Sequence, residues 1–256
     1  SPAWAGCRGR RLMRLDQARL QAKSTIALAE KIGHPFTLAF TWSFVSLAAG
    51  LALDIDMILA AAQRSLAVAR AHAFPTWTAF GLAASGYARG VKGDVEEGFT
   101  DMFSGLEIAL ATGAQTPIAF ILGLSSELYA AMGQPIEGLS MLDGGLAMAK
   151  GNSEGLSIPD LHRRRGVLLL EMGRSWAEAD ADLRAAIALA ADQQARLHEL
   201  RALTARLRLA RRYAPGEAEA AYRELAGCYN WFVEGFDAAD LIEARRELAH
   251  DLPRTL

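Results

Sequence analysis

The sequence repeats the turn Lys92-Gly93-Asp94 as Met132-Gly133-Gln134 and again as Met172-Gly173-Arg174, at intervals of 40 residues. A second series of breaks, which begins with Gly33-His34-Pro35, marks the other end of each repeat. Glycine just beyond a helix end and proline near a helix start are typical helix boundaries. The period therefore predicts a repeat of antiparallel helix pairs, each with an A helix and a B helix.

The stretches between the breaks have helical spacing. Ile136, Leu139 and Leu142 recur at intervals of three residues after one of the turns, which favours one buried face of a helix. The chain is 52% hydrophobic, mostly Ala and Leu, and has only 8 prolines, a composition that favours helices over strands. We predict an all-α solenoid of about six helix pairs, followed by a short terminal helix near residues 241–251.

Small residues recur at matched positions of the predicted helices. Glycine inside a helix costs about 1 kcal/mol relative to alanine, so its repetition at fixed positions needs a physical reason. Close crossing of helix A over helix B supplies that reason, because a missing Cβ lets two backbones approach. The positions are Ser46, Gly86, Ser126 and Gly166 on A helices, and Gly98, Gly138, Gly105 and Gly145 on B helices.

This arrangement of small residues resembles tetratricopeptide (TPR) repeats. Leu122, Ser126, Tyr129 and Gly133 fit the order of bulky, small, aromatic and turn residues in that family. The usual TPR period is about 34 residues, so this chain departs from it in length. The resemblance implies a right-handed superhelix whose A helices line a concave face.

The carboxyl-terminal part contains the string Tyr229-Asn230-Trp231-Phe232-Val233-Glu234-Gly235-Phe236-Asp237-Ala238-Ala239-Asp240-Leu241, which carries a narrower resemblance. It is similar to the tail of the TPR regions in bacterial class III adenylate/guanylate cyclase-like signalling ATPases, and to related transcriptional regulators. The chain contains no GxxxxGK[ST] phosphate-binding loop. The resemblance therefore implies a non-catalytic regulatory module, with the cyclase or ATPase domains upstream or absent.

The predicted organisation is a single TPR-like solenoid over residues 1–256. The repeats occupy residues 14–252, and residues 1–13 are a truncated first helix, an upstream remnant or a tag. The start, Ser1-Pro2, has neither an initiator methionine nor a signal peptide, as expected for a piece of a larger protein. With Cys7 and Cys228 as the only cysteines and no apolar run long enough for a bilayer, we expect a cytoplasmic protein that does not enter membranes.

The concave face is the first candidate site. When the TPR positions are applied at 40-residue steps, they select aromatic residues from three successive A helices, and exposed apolar surface of this kind marks binding sites. The alternative is that neighbouring A helices bury these rings, and Trp77 is interpreted as such a packing residue. The predicted groove residues are Phe40, Ser43, Leu47, Phe80, Tyr87, Phe120, Glu127 and Arg163.

The second candidate is a basic band within residues 163–212, which includes Arg164, Arg165, Arg201 and Arg208. It has three interpretations. It is a solvated or internally paired face, a surface for an acidic protein partner, or a nucleic-acid site. The band contains few aromatic residues, which disfavours binding to single strands.

Catalytic and metal sites are not indicated. No histidine has a second histidine or a cysteine at metal-ligand spacing on a helix. Asp54, Asp56, Asp180 and Asp182 are interpreted as solvated residues or helix caps at the starts of B helices. We predict a cofactor-free, non-enzymatic module that binds a protein segment, or other domains of its own polypeptide, in the groove. The alternative is a small-molecule sensor with a cavity inside the superhelix. Nucleic acid is the weakest of the partners.

Overall fold

The structure is a computed structural model that describes residues 15–113, 118–151 and 155–250. The described residues are almost entirely helical and contain no strand. Two short 3-10 turns, Gly155–Ser157 and Pro215–Glu217, precede two of the helices. The helices are α1 (Leu15–Ile32), α2 (Pro35–Leu51), α3 (Ile55–Ala71), α4 (Pro75–Val91), α5 (Val95–Ala111), α6 (Ile118–Ala131), α7 (Pro135–Gly151), α8 (Ile158–Glu171), α9 (Trp176–Asp192), α10 (Arg196–Tyr213), α11 (Ala218–Tyr229) and α12 (Ala239–Ala249).

The order of the helices confirms the all-α fold of antiparallel helix pairs. The A helices are α2, α4, α6, α8 and α10, and each packs against the B helix that follows it. The terminal helix begins at Ala239, two residues before the predicted start at Leu241. The predicted first A helix within residues 1–13 lies outside the described residues.

The chain divides into two compact units. The first unit comprises residues 19–154, and the second comprises residues 155–256 together with residues 1–18. One continuous solenoid over the whole chain stays a prediction. In the first unit α2 packs on α4 and α4 on α6, so three A helices are neighbours.

Most of the helices are followed by a residue in the left-handed backbone conformation, with a positive φ. Glycine adopts the positive φ after several helices, as at Gly133 with φ 73°. Three residues other than glycine also have a positive φ: Leu53 at 54°, Ala73 at 52° and Gln194 at 56°. A side chain there is strained, because its Cβ crowds the following carbonyl oxygen.

We expect Ala73→Gly to raise the free energy of unfolding by about 0.5–1 kcal/mol, because it removes this strain at an exposed turn. Urea unfolding monitored by circular dichroism measures the change. Ala60→Gly is the matched control, since Ala60 is exposed in the interior of α3 and glycine there costs about 1 kcal/mol. Equal destabilisation by the two substitutions would contradict the strain at Ala73.

The predicted close crossing of A and B helices is confirmed. A Cβ on Gly98 of α5 would meet the carbonyl oxygen of Gly86 and stand 2.6 Å from the amide nitrogen of Gly90, both on α4. A Cβ on Gly105 would stand 2.5 Å from the carbonyl oxygen of Ala79. Gly166 of α8 has the same role against α9 in the second unit. The backbones of these helix pairs are therefore in direct contact.

The core of the first unit lies between its A and B helices. Met102 and Leu142 on B helices and Leu128 on an A helix are almost fully buried there. In the second unit α10 is the central helix, because it packs against α8, α9, α11 and α12. Leu200 and Leu207 of α10 are fully buried in that core.

Candidate functional site

The first unit contains a cavity of about 630 Å³ between the A helices α2, α4 and α6. We call it the pocket. Its lining residues come mainly from those three helices. The B helix α3 packs against both α2 and α4, and α5 packs against both α4 and α6. The lining comprises Phe40, Ser43, Phe44, Ser46, Leu47, Gly50, Ile58, Thr76, Trp77, Phe80, Ala83, Ala84, Tyr87, Thr112, Gly113, Phe120, Ile121 and Leu124.

Most of the predicted groove residues meet in this pocket. Glu127 is not in the lining but accepts a hydrogen bond of 2.8 Å from the Tyr87 hydroxyl. Arg163 belongs to the second unit, where it donates to Asp160 at 2.8 Å. The predicted residues that line the pocket are Phe40, Ser43, Leu47, Phe80, Tyr87 and Phe120.

The three phenylalanines spaced by 40 residues differ in exposure. Phe40 is 43% exposed, whereas Phe80 and Phe120 are half-buried. The Phe120 ring reaches α2, since a Cβ on Gly50 would stand 3.4 Å from its Cζ. The three rings therefore form walls of the pocket. They are neither a fully exposed row nor fully buried between neighbouring helices.

Trp77 is the centre of an aromatic cluster at one side of the pocket. Its ring lies 5.4 Å from that of Phe40, 6.4 Å from that of Phe44 and 5.7 Å from that of Phe80. Edge-to-face pairs of this kind add about 0.5–1.5 kcal/mol each beyond their buried area. Trp77 thus packs between repeats, as predicted, and also faces the cavity. Phe44 also lines the pocket but was not among the predicted groove residues, although its spacing of four residues from Phe40 on α2 places both on one face of the helix.

A buried chain of hydrogen bonds determines whether the Ser43 hydroxyl can donate or accept a hydrogen bond in the pocket. Ser65 donates its proton to the carbonyl oxygen of Ala39 at 2.9 Å. The Ser43 and Ser65 oxygens are 2.7 Å apart, so Ser43 is the donor of that bond. Because a hydroxyl has one proton and two lone pairs, Ser43 remains only an acceptor towards the cavity.

Three further lining hydroxyls also donate to protein acceptors. Ser46 donates to the carbonyl oxygen of Ile58 at 3.1 Å, and Thr112 to that of Ala109 at 2.9 Å. Tyr87 donates to Glu127. Among the described residues, those that line the pocket carry no charged side chain. The electrostatic character of the walls is therefore that of aromatic rings and oxygen lone pairs.

Most arginines of the basic band, including all those named in the prediction, are paired within the second unit. Arg163 and Arg164 both donate to Asp160, at 2.8 and 2.6 Å. Arg201 binds Asp240 through two nitrogens at 2.7 Å each, and both side chains are buried. Arg165 pairs with Asp182, and the exposed Arg208 with Glu243 at 2.5 Å. These partners neutralise much of the band's charge.

The interpretation of the acidic B-helix residues as caps or solvated side chains was right for Asp54 and for Asp56, which is exposed, and wrong for Asp180 and Asp182. Asp54 accepts a hydrogen bond from the Met57 amide at 3.1 Å and so caps α3. Asp180 and Asp182 were expected to be solvated, but both are buried. They are held there by arginines from other helices, which the local sequence did not reveal. Asp180 binds Arg206 at 2.7 Å.

Burial and charge set the ionisation of Asp160 and His198, which lie in the second unit. Burial alone would raise the pKa of Asp160, but Arg163, Arg164 and Arg201 outweigh it and hold that pKa well below its usual value. Burial lowers the pKa of His198 below its ordinary 6.5, against the opposing charge of Asp160. His198 is therefore a neutral, buried imidazole near pH 7.

We expect the thermal midpoint to fall as the pH drops below about 6.5, because unfolded His198 then binds a proton that the folded state takes up only at lower pH. Asp160 adds a loss of stability at still lower pH, since its folded pKa is depressed. Thermal unfolding between pH 8 and pH 5 measures the slope. His198→Gln should flatten it, and the exposed His72→Gln should not. A full slope in His198→Gln would contradict this assignment.

The described residues offer little else for chemistry. None of their groups of His, Cys, Asp and Glu side chains is arranged to hold a metal ion. Burial raises the pKa of the Cys228 thiol to about 12, which leaves almost no thiolate at neutral pH. Among the described helices, none combines the length and hydrophobicity of a membrane span.

Comparisons with known proteins add no assignment. No protein family matches the chain, and no curated protein is significantly similar to it. The resemblance to TPR regions of cyclase-like signalling proteins therefore stays a prediction.

Proposed function

We propose that the first unit is a non-catalytic sensor module that binds an apolar small molecule in the pocket. The observation that carries this proposal is the bounded cavity of about 630 Å³ with aromatic and uncharged walls. Sites for small molecules are clefts of roughly 300–1,000 Å³, mostly apolar, with a few placed polar groups. The pocket has that size and that composition.

The energetics of the lining support an apolar ligand. Trp77, Ile121 and Leu124 are less than a tenth exposed, yet they face the cavity. A ligand that fills the cavity removes the remaining apolar surface from water, which contributes about 25 cal/mol per Å². Because several walls are rings fixed by their neighbours, little side-chain ordering opposes binding.

A hydrophobic segment of a protein partner is the second candidate. A row of phenylalanines spaced by four residues runs along α2, with Phe36 at 46%, Phe40 at 43% and Phe44 at 49% exposure. Such spacing suits an apolar segment in a groove. In either case the role is regulatory, within a larger cytoplasmic signalling protein of the kind that the sequence resembles. The paired arginines of the basic band leave no observation that favours nucleic acid.

We expect N-phenyl-1-naphthylamine, an uncharged apolar dye, to bind the full chain saturably with one site and enhanced fluorescence. Ala84 lines the pocket and is only partly buried, so a tryptophan at this position would extend into the cavity. Ala84→Trp should therefore weaken dye binding at least tenfold. The control is Ala60→Trp, an exposed position on α3 that should leave the affinity unchanged. Fluorescence titration measures all three proteins.

Two results separate the candidates. Binding by Ala84→Trp as tight as that of the unmodified chain would contradict the sensor proposal. Phe36→Asp changes the row on α2 at a residue outside the lining. Its ring packs 5.7 Å from that of Trp77, so dye binding by this variant shows whether the pocket is intact. A protein partner retained by the unmodified chain and lost by Phe36→Asp, with dye binding unchanged, would support the second candidate instead.

A further inference from the structure

The pocket has two ends that differ in polarity. Ser43, Ser46 and Tyr87 are all buried and lie towards the middle and carboxyl ends of α2 and α4. Resting on the proposed function, we propose that the ligand is an elongated apolar molecule with a hydrogen-bond-donating head, an amine in preference to an alcohol. The head binds between these three side chains, and an anionic head is excluded.

The hydroxyl protons of Ser43, Ser46 and Tyr87 are all donated to acceptors within the protein. Ser43 donates into the chain that ends at the Ala39 carbonyl oxygen, and Ser46 donates to the Ile58 carbonyl oxygen. Each serine keeps lone pairs for a ligand but no proton. A carboxylate or phosphate placed here would lose its water without gaining a donor, and an unpaired buried charge of this kind is strongly disfavoured. A ligand donor meets acceptors instead.

The hydrogen bond of Tyr87 places a negative charge next to the buried end of the pocket. The Tyr87 hydroxyl donates to Glu127 at 2.8 Å, so a carboxylate stands directly behind the lining. The lining itself contributes no cation. An ammonium group at Ser43 and Ser46 is attracted by this carboxylate, and aromatic walls also favour a cation. The same field repels an anion.

The opposite end is different. Among the described residues, none accepts a hydrogen bond from the hydroxyl of Thr76, which lines the pocket from the first turn of α4. It is separated from Tyr87 by 11 residues of one helix, which is about 16 Å at 1.5 Å per residue. A long ligand therefore spans a rim near Thr76 and the aromatic cluster of Trp77 before its head reaches the buried end. That length favours a chain over a compact ring system.

The test uses three probes of equal chain length: decylamine, decan-1-ol and decanoate. Each is titrated calorimetrically into the full chain at pH 7 and low ionic strength. We expect decylamine to bind most tightly, decan-1-ol about tenfold more weakly, and decanoate at least tenfold more weakly than decan-1-ol. Decanoate binding as tightly as either of the others would overturn the donor-head inference. Absence of binding by all three would overturn the proposed function as well.

Two variants locate the head. Glu127→Gln keeps an acceptor for Tyr87 and removes the charge, so it should reduce decylamine affinity about tenfold and leave decan-1-ol within about twofold. Ser46→Ala removes one acceptor and should weaken both probes. Dye binding in the same variants shows that the pocket is intact. Unchanged decylamine affinity in Glu127→Gln with normal dye binding would contradict the inference and leave the sensor function standing.

Discussion

Arg206→Ala is expected to destabilise the second unit by about 3–5 kcal/mol, the usual cost of removing one partner of a buried ion network. The Arg206 side chain is 1% exposed. It binds Asp180 of α9 at 2.7 Å, and Glu217 at 2.7 Å and Glu224 at 3.3 Å on the following segment. Its loss leaves the buried Asp180 carboxylate without its main charge partner, while Arg184 contributes from a half-exposed position.

Chemical unfolding monitored by circular dichroism gives the magnitude. Arg208→Ala is the matched control two residues along the same helix, because Arg208 and Glu243 form a pair in which both side chains are 47% exposed. Exposed pairs of this kind contribute about 0–1 kcal/mol. If the two substitutions cost the same, the network around Arg206 is not a structural centre of this unit.

The second large effect is expected at a helix crossing. Gly98→Ala should lower the free energy of unfolding of the first unit by about 3 kcal/mol, because the new Cβ overlaps the backbone of α4. It would meet the Gly86 carbonyl oxygen and the Gly90 amide nitrogen, and neither can move without moving the helix. The α4 and α5 helices must separate to admit the methyl group.

Gly144→Ala is the control for this substitution. Gly144 lies inside α7, and a Cβ there would have no atom within 4 Å. Alanine should therefore stabilise α7 by about 1 kcal/mol through helix propensity. Thermal unfolding of both variants measures the contrast. A Gly98→Ala protein as stable as the unmodified chain would show that close backbone contact is not required at this crossing.

The helix pairs and the small-residue crossings were predictable because both are local and periodic. The turn glycines and the helix-interior glycines recur at 40-residue intervals, and each has one physical explanation. The same interval placed Phe40, Phe80 and Phe120 together, since equivalent positions of successive A helices face the same side. A period of this kind identifies which side chains meet. It does not determine how much space they leave.

The cavity itself was not predictable from the period. It depends on the small side chains of Ala83 and Ala84 in a lining that also contains large rings, and on where Trp77 is held by its neighbours. These are differences in side-chain volume between particular helices.

In the second unit, residues at equivalent positions of the 40-residue repeat have different roles from those in the first unit. Position 206 follows Gly166 by 40 residues, but a long, buried arginine replaces the small residue there. Arg163 was predicted to line the groove, 120 residues after Ser43, and Asp160 stands 40 residues after Phe120. They instead form a buried charge cluster, because Arg201 and His198 of α10 lie near them. The partners are far apart in sequence, so local spacing did not reveal them.

The most direct test of the ligand pocket is a crystal structure of the chain with 10-bromodecan-1-ol, with the bromine located by its anomalous signal. We expect one strong peak inside the cavity between α2, α4 and α6, near Trp77, with the hydroxyl of the ligand within hydrogen-bonding distance of Ser43 or Ser46. An empty cavity, with bromine only on other surfaces of the chain, would contradict the account.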